Sequence, residues 1–440
     1  MAMRITNGIM NSNAKINIMI NKEYADRTNT MVATGQKITR PSDDPVIAIR
    51  NLRLNSNIDE LTQYKTKNIP DADAWLKTTG TALDQTHQVL QNIHDNLTTG
   101  ASDQHTADDR MKIMENLTKL RDQVYASGNA DYAGRTVFTG YRTGETLTYL
   151  EPEDKNLYNI YETFENSAVT TMPYVKGNFD IYKAAGSGQV INPDVDEDTV
   201  QQYDIFRVRL AYDNLQYDSG NMTDVDGGNL NVNINYKLKD GTEGSLSPEI
   251  VTLKGKSQEE IDDIYSEYYQ TDAALADTEP KVRLIADTGE LILNKAAADL
   301  LRSDKAEFNI EYAKSDFKRG DLRPEHYFAC KSKDTTDSQA NVIEYNYSDT
   351  HKPDFQRQRL SYEVSFNQTM EINTNACDVF THDIGRDVDD LMKATQAVID
   401  VEKKIENLKK AIKEENPNIT DEELKRDIRV KEAEQQFSYL

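Results

Sequence analysis

Apolar residues recur at helical intervals through residues 5–130. Ile47, Leu54 and Leu61 repeat every seven, and after a one-residue slip Ile69, Leu76, Leu83, Leu90 and Leu97 do the same. A seven-residue repeat keeps one stripe facing a partner helix, as in a coiled coil or bundle. Pro70 interrupts this run, so the helix is expected to kink or restart there. A further helix opens at Thr106-Ala-Asp-Asp109, carries Ile113, Leu117, Leu120 and Val124 on one face, and closes at Gly128. The first segment is weaker. Ile9, Ile16, Ile20, Tyr24 and Met31 share a face, but Asn7, Asn11, Asn13, Asn17 and Asn21 are poor helix formers. Such a helix is marginal alone and needs a partner; Gly35 ends it.

From about 150 the period changes to two. Leu230, Val232, Ile234, Tyr236 and Leu238 alternate ahead of an Asp240-Gly241 turn, and Arg283–Ala286 and Leu291–Leu293 flank Asp287-Thr-Gly-Glu290 as a second hairpin. Phe308, Ile310 and Tyr312 predict another strand, and Tyr362, Val364 and Phe366 a fourth, with a helical stretch near 257–270 between the hairpins. Helical periodicity returns after Gly385, where Val398, Ile405 and Leu408 fall on one stripe, and a last helix follows the capping box Thr420-Asp-Glu-Glu423. The expected fold class is therefore α+β, a long-helix coiled-coil rod built from both ends of the chain with a β-rich domain inserted between them. The expected divisions are an N-terminal helix over 1–40, a discontinuous helical domain over 41–148 and 381–440, and an acidic β-rich part over 149–380.

Charge sharpens this division. The net charge is −24 over 440 residues, yet residues 1–40 hold six basic residues against two acidic, while 151–380 hold 23 basic against 43 acidic. An acidic middle repels nucleic acid and anionic membrane and keeps the surface solvated. No apolar run approaches the roughly 18–20 residues of a membrane span, and Asn, Ser and Lys break residues 3–22 too often for a signal-peptide core. Two cysteines, Cys330 and Cys377, exclude a disulfide-dense scaffold and any four-thiolate metal site, and leave either one bridge or none.

Catalytic motifs are sparse. Leu284-Ile-Ala-Asp287-Thr-Gly289 has the shape of an aspartic-protease active site, with Asp218-Ser-Gly220 as the possible second carboxylate, but Asp-Thr-Gly-Glu between two alternating runs also reads as a hairpin turn, which is the favoured reading. The six histidines form no metalloprotease pair. Asp194, Asp196 and Asp198 start like a calcium loop that fails at Thr199 and Ile205, and Asp224-Val-Asp-Gly227 fails as well. No metal, no cofactor and no catalytic residue is expected.

Several strings resemble one family. Gly35-Gln-Lys-Ile-Thr-Arg-Pro-Ser-Asp-Asp-Pro45 resembles the helix-break motif of the flagellar hook-associated protein 3 family, relatives of flagellin, and Met3-Arg-Ile-Thr6 resembles its opening. Asn129-Ala-Asp-Tyr-Ala-Gly-Arg-Thr-Val-Phe-Thr-Gly-Tyr141 is similar to the segment where such chains leave the rod. Gly320-Asp-Leu-Arg-Pro-Glu-His-Tyr-Phe328 and Asn373-Thr-Asn-Ala-Cys-Asp-Val-Phe380 are similar to clostridial-type members. The family closes with a further long C-terminal helix paired with the first, whereas here the last helical pattern begins at Thr420 and the chain stops at Leu440. The resemblance implies a secreted structural subunit at the hook–filament junction of the bacterial flagellum. It implies contacts with like subunits in a ring or helical lattice, with the adjacent hook-associated junction protein and with flagellin, and an export chaperone, with no nucleic acid and no membrane insertion. A flagellin is the nearest alternative, and a hydrolase using Asp287 the alternative of another class. In the motif, Gly35 and Pro41 stop the first helix, Ser42 or Asp43 caps the next, Asp43 and Asp44 suit its N-terminal dipole, and Pro45 fits its first turn. Leu54, Leu61, Ile69, Leu76, Leu83, Leu90, Leu97, Val398, Ile405 and Leu408 are the expected packing positions.

Overall fold

The computed structural model describes residues 7–38, 40–42, 44–100, 106–176, 201–218, 220–269, 279–337, 339–345 and 358–439. Helices occupy the two ends of the chain and strands its middle, in agreement with the α+β reading. Two compact units emerge: Met1–Asp73 with Tyr362–Met370, and Ala74–Ser361 with Glu371–Leu440.

In the first unit, helix α1 (Asn7–Thr34) has no buried residue. Its end follows from Gly35, whose φ of 67° is the left-handed conformation that glycine takes without a Cβ penalty, and whose N–H reaches the Met31 carbonyl at 2.9 Å. Helix α2 (Pro45–Gln63) also buries nothing. Its N-cap is Asp44, not Ser42 or Asp43; the Asp44 carboxylate accepts from the N–H groups of Val46 and Ile47 at 3.1 and 3.2 Å. Pro45 is the reason, because the residue before a proline is driven to extended backbone, which is the N-cap conformation. Asp43 lies outside the described residues. Beyond α2 the helix does not stop and restart at Pro70. The backbone passes through a π turn (Tyr64–Asn68), in which the Ile69 N–H bonds to the Tyr64 carbonyl, and continues directly as α3 (Ile69–Gly100). Proline's missing N–H and its clash with the carbonyl four residues back are absorbed by widening the preceding turn.

Helix α1 thus has periodicity without burial, so in the monomer its amides should exchange freely while those of α4 (Ala107–Ser127), which packs on other helices, are protected. Hydrogen exchange read by mass spectrometry checks this; equal slow exchange in both would contradict it.

The second unit carries the sheets. Its strands, in chain order, are β1 (Asp131–Tyr132), β2 (Arg135–Thr136), β3 (Asn156–Glu165), β4 (Thr170–Lys176), β5 (Gln201–Arg209), β6 (Met222–Thr223), β7 (Asn229–Leu230), β8 (Ile234–Lys237), β9 (Glu243–Leu246), β10 (Glu249–Val251), β11 (Val282–Ile285), β12 (Glu290–Leu293), β13 (Glu307–Lys314), β14 (Ala329–Asp334) and β15 (Ile343–Tyr345). A five-stranded sheet has the order β10-β11-β12-β5-β4 and a six-stranded sheet the order β15-β14-β3-β13-β8-β9. Pairing is antiparallel throughout except for β10 on β11. Both predicted hairpin turns form, at Asp240-Gly241 and at Asp287–Gly289. The Leu230–Leu238 run is two short strands rather than one. A further hairpin, β16 (Ser361–Ser365) with β17 (Gln368–Glu371), has its body in the first unit, where Asn68 Nδ2 donates to the Glu363 carbonyl at 2.7 Å. Helix α5 (Gln258–Ser266) begins with a full capping box at Ser257 and Glu260 and lays Tyr265 on Ile205, Ile285 and Ile292 of the five-stranded sheet. Short helices α6 (Lys295–Leu301) and α7 (Ala376–Val379) follow.

The chain then enters α8 (His382–Glu415), breaks, and ends in α9 (Asp421–Arg426) and α10 (Ile428–Tyr439). Antiparallel partners flank α8 on two sides. Arg110 and Thr118 of α4 meet Glu402 and Met392, and Gln436 and Glu434 of α10 meet Lys404 and Lys409. The capping box predicted at Thr420 and Glu423 is present, and Ile412, Leu424 and Val430 close a small core at this end.

Candidate functional site

Among the helix-break residues, Gly35, Asp44 and Pro45 hold the cap and stop positions just described, and Pro41 and Ser42 form an exposed turn between them. The packing positions are not brought together. Leu54 and Leu61 are both 60% exposed, and Ile69, Leu76 and Leu90 are exposed too. Leu83, Leu97, Val398 and Ile405 are half-buried, and only Leu408 is fully buried. The stripe that α3 buries is its neighbour, Ala72, Trp75, Thr79, Ala82, Thr86, Val89 and Ile93, spaced alternately three and four. Its threonines can be buried because each hydroxyl bonds the carbonyl one turn back, Thr79 to Trp75 and Thr86 to Ala82.

The most built polar site lies at the start of α8, where helices and sheets of the second unit meet. Within its first two turns Asp387 pairs with Arg209, Asp389 with Arg121 of α4, and Asp390 with both Arg207 and Arg209 of β5, at 2.7 and 3.0 Å. Arg207 also holds Glu290 of β12 at 2.8 Å. Arg386 is buried and donates to the Thr288 carbonyl in the β11–β12 turn. Burial raises the Asp390 carboxyl, but the two guanidiniums outweigh it and hold the group below the usual carboxylate range. Deeper in, Glu162 of β3 is buried. It accepts from the Ala211 N–H at 3.0 Å and the Tyr312 hydroxyl at 2.8 Å, and lies 3.9 Å from His382 Nε2. Tyr125 of α4 accepts from the Gly385 N–H at 2.7 Å. Above these groups opens a cleft of about 680 Å³ lined by Met114, Arg121, Tyr125, Leu322, Arg386 and Met392. The arrangement clamps the start of α8 to α4 and to strands of both sheets. Asp387, Asp389, Asp390 and Glu290 each pair with an arginine, so these contacts act as a mechanical joint.

The protease-like Asp287 is spent on tying its turn to the segment that follows β10. Its carboxylate accepts from the Thr252 hydroxyl at 2.6 Å and from the N–H groups of Leu253 and Lys254. Although burial opposes ionisation, these bonds keep its carboxyl below the usual range. The calcium-like Asp194, Asp196 and Asp198 lie outside the described residues. Cys330, buried in β14, and Cys377, half-buried in α7, are both free. Sequence reading missed one cluster, Glu145, Glu325 and His326, whose possible ligand atoms lie within 4.8 Å of one another. Arginines already serve it: Arg323 lies 3.8 Å from Glu145 and 3.4 Å from Glu325, and Arg142 donates to the Glu325 carbonyl.

Burial and the nearby Arg142 push the His326 imidazole down to about 3. The unfolded chain takes up this proton below about 6.5 and the folded chain does not, so protonation favours unfolding between about pH 6.5 and 3. Urea midpoints should fall across that window and be flat above it on this account, and His326→Gln should flatten the slope. An unchanged slope in the variant would assign the acid sensitivity elsewhere.

Residues 5–143 match the bacterial flagellin N-terminal helical region family. A flagellin of Clostridium tyrobutyricum is 24% identical over 143 residues, 32% of this chain and 38% of that protein. Flagellar hook-associated protein 3 of Escherichia coli strain K12 is 29% identical over 125 residues, 28% of this chain and 39% of that protein. Among solved structures, FlgL of Xanthomonas campestris aligns at 12% identity and a TM-score of 0.23 over 60% of this chain and 74% of that one. The matched segment spans under two fifths of the length of either curated relative. By its helical first third the chain is flagellin-like. Two of the curated matches are flagellar hook-associated protein 3, from Escherichia coli and from Salmonella typhimurium, so the first third of the chain is similar to both flagellins and hook-associated proteins.

Proposed function

We propose that this chain is a structural subunit joining hook to filament, exported by the flagellar type III route with an export chaperone holding it beforehand, and assembled through its helical ends with like subunits, the adjacent hook-associated protein and flagellin. The observation that carries the reading is that α1 and α2 bury nothing within the chain while keeping apolar residues in helical register, Ile9, Ile16 and Ile20 on one and Leu54 and Leu61 on the other. Helices of that kind gain their burial from neighbours. The acidic β-rich middle serves solubility on this reading.

Leu54→Asp with Leu61→Asp tests it. Both side chains are exposed, so the monomer should keep its melting behaviour, whereas a charge in an assembled seam is desolvated without a partner. Cells carrying this variant as their only copy should keep hooks, lose filaments and shed flagellin into the medium. Normal filaments would overturn the assembly role of the face. The second reading, a filament subunit, draws on the Clostridium flagellin match; antibody labelling along the whole filament instead of at its base would favour it. Peptide cleavage that vanished in Asp287→Asn would restore the hydrolase reading, for which the turn geometry of Asp287 offers no support.

A further inference from the structure

Glu145, Glu325 and His326 each offer one atom able to bind a metal, and these three atoms lie within 4.8 Å of one another. Two segments supply them. Glu325 and His326 stand on the single-turn helix Pro324–His326 just ahead of β14, and are 2% and 6% exposed. Glu145 comes from the loop after β2. Its N–H bonds the Arg142 carbonyl at 3.1 Å and its carbonyl accepts from the Thr136 hydroxyl at 2.8 Å, while its side chain stays half-exposed. His326 carries a further sign. Its Nε2 lies 3.3 Å from the Thr146 carbonyl, which can only accept, so in the neutral ring Nε2 holds the proton and Nδ1 the lone pair. Nδ1 makes no hydrogen bond among the described residues. One ring nitrogen tied to a backbone carbonyl and the other left open is how metal-ligating histidines are held. The cation now beside the carboxylates is Arg323, and it fits loosely. Its Nη1 is 3.4 Å from Glu325 and 3.8 Å from Glu145, against about 2.7–2.9 Å for a well-made pair. Its guanidinium also has a seat of its own, 4.7 Å from the centre of the Tyr149 ring. Arg142 sits over Tyr345 and gives its hydrogen bond to the main chain of Glu325.

We propose that Glu145, Glu325 and His326 bind one divalent transition-metal ion of the zinc class, which takes the place of Arg323 between the two carboxylates. The donor set identifies the class. One imidazole beside two carboxylates suits zinc, whereas calcium and magnesium take oxygen ligands and copper(I) selects thiolates and thioethers. Zinc holds nitrogen and oxygen at about 2.0–2.2 Å, which sets tetrahedral ligand atoms about 3.4 Å apart. The triad therefore needs only to contract, and the half-exposed Glu145 side chain is the member able to move. The ion serves as a structural clip, tying the loop after β2 to the turn ahead of β14. Nothing in this depends on the role of the chain in the flagellum.

The test titrates the full chain, stripped with EDTA and dialysed, with Zn²⁺ by isothermal calorimetry, and with Co²⁺ as an optical probe. One ion per chain is expected, with the visible absorption of four-coordinate cobalt and a melting temperature that rises with added zinc. Glu145→Gln changes a half-exposed side chain and should weaken binding by about tenfold or more, already the cost of losing an outer-shell partner. Arg323→Met removes the competing cation and should tighten binding by up to about fivefold, the worth of an ion pair at the upper end of the surface range. A wild-type chain that takes up no zinc would overturn the proposal. So would binding that survives both Glu145→Gln and His326→Gln, which would put the ion on another histidine, or weaker binding in an Arg323→Met chain whose circular dichroism matches wild type. Should His326→Gln fail to fold, Glu145→Gln alone decides. Displacement of Co²⁺ by Mg²⁺ as readily as by Zn²⁺ would overturn the assignment of class.

Discussion

Replacing Lys314 by methionine is expected to lower stability by about 3 kcal/mol. Lys314 lies on β13 with no exposed surface, and its ammonium donates to three backbone carbonyls, those of Asp213, Asn214 and Asp316, at 2.8, 3.1 and 3.4 Å. Among the described residues no carboxylate reaches it at ion-pair distance, and burial, only partly offset by Asp213, Asp321 and Asp316, pulls its pKa down. The loops around it bend to reach it: Asn214 and Asp316 both have left-handed φ, 46° and 56°, which side-chain-bearing residues adopt at a cost. Methionine fills the volume but takes the ammonium donor from three carbonyls and leaves two strained turns without their reward. Removing a desolvated charge returns part of that loss, hence a figure below the sum of three charge-assisted bonds. Urea unfolding followed by the sheet signal checks the shift, with Lys314→Arg as the charge-keeping control. A midpoint equal to wild type in the methionine variant would show that the loops hold without the ammonium.

Arg207→Met is expected to cost a similar amount, about 3–4 kcal/mol, at the joint below α8. Arg207 bridges Glu290 and Asp390, and the Glu290 side chain is only 6% exposed, so truncation strands a carboxylate where water scarcely reaches. Arg209 still reaches Asp390, which confines most of the loss to Glu290. Glu290→Gln in the same chain should therefore recover part of the stability, giving a coupling energy in a double-mutant cycle. Amide exchange in β5 and the first turns of α8 should rise together in the single variant and fall back in the double. Full additivity would mean that the pair does not interact. Acid acts on the same joint: Asp390 is held below its ordinary range, so its contribution is present above the unfolded pKa near 3.9 and is lost as pH falls through the folded value.

The elements were legible where local chemistry decides them. Thr106, Ser257 and Thr420 cap helices where their sequence contexts suggest, and the Asp-Gly and Asp-Thr-Gly turns close hairpins because positive-φ glycines sit where the chain must reverse. The one-residue slip between Leu61 and Ile69 was visible in the sequence as a break in period, but its physical form, a wide turn ahead of a proline, was not. The α3 stripe shows a different limit. Leucines announce the seven-residue period, yet the chain buries alanine, threonine and tryptophan one position over, since self-bonded threonines pass as apolar once folded. The α8 joint could not be read at all. Arg207 and Asp390 are 183 residues apart, and an arginine in an alternating strand and an aspartate on a helix look like ordinary solvated charges until the fold brings them together.

The buried position of Trp75 gives the protein an internal optical label. It is the chain's single tryptophan against 23 tyrosines. Its ring is 1% exposed, with the Tyr132 edge 6.3 Å away and the Arg135 guanidinium 5.3 Å above it. Selective excitation of the indole therefore reports one place only, the seat of the β1–β2 hairpin on α3. A cation over the excited ring and an indole N–H without a protein acceptor among the described residues make its emission colour sensitive to that seat, so that a red shift registers the hairpin lifting away even while the sheets stay folded.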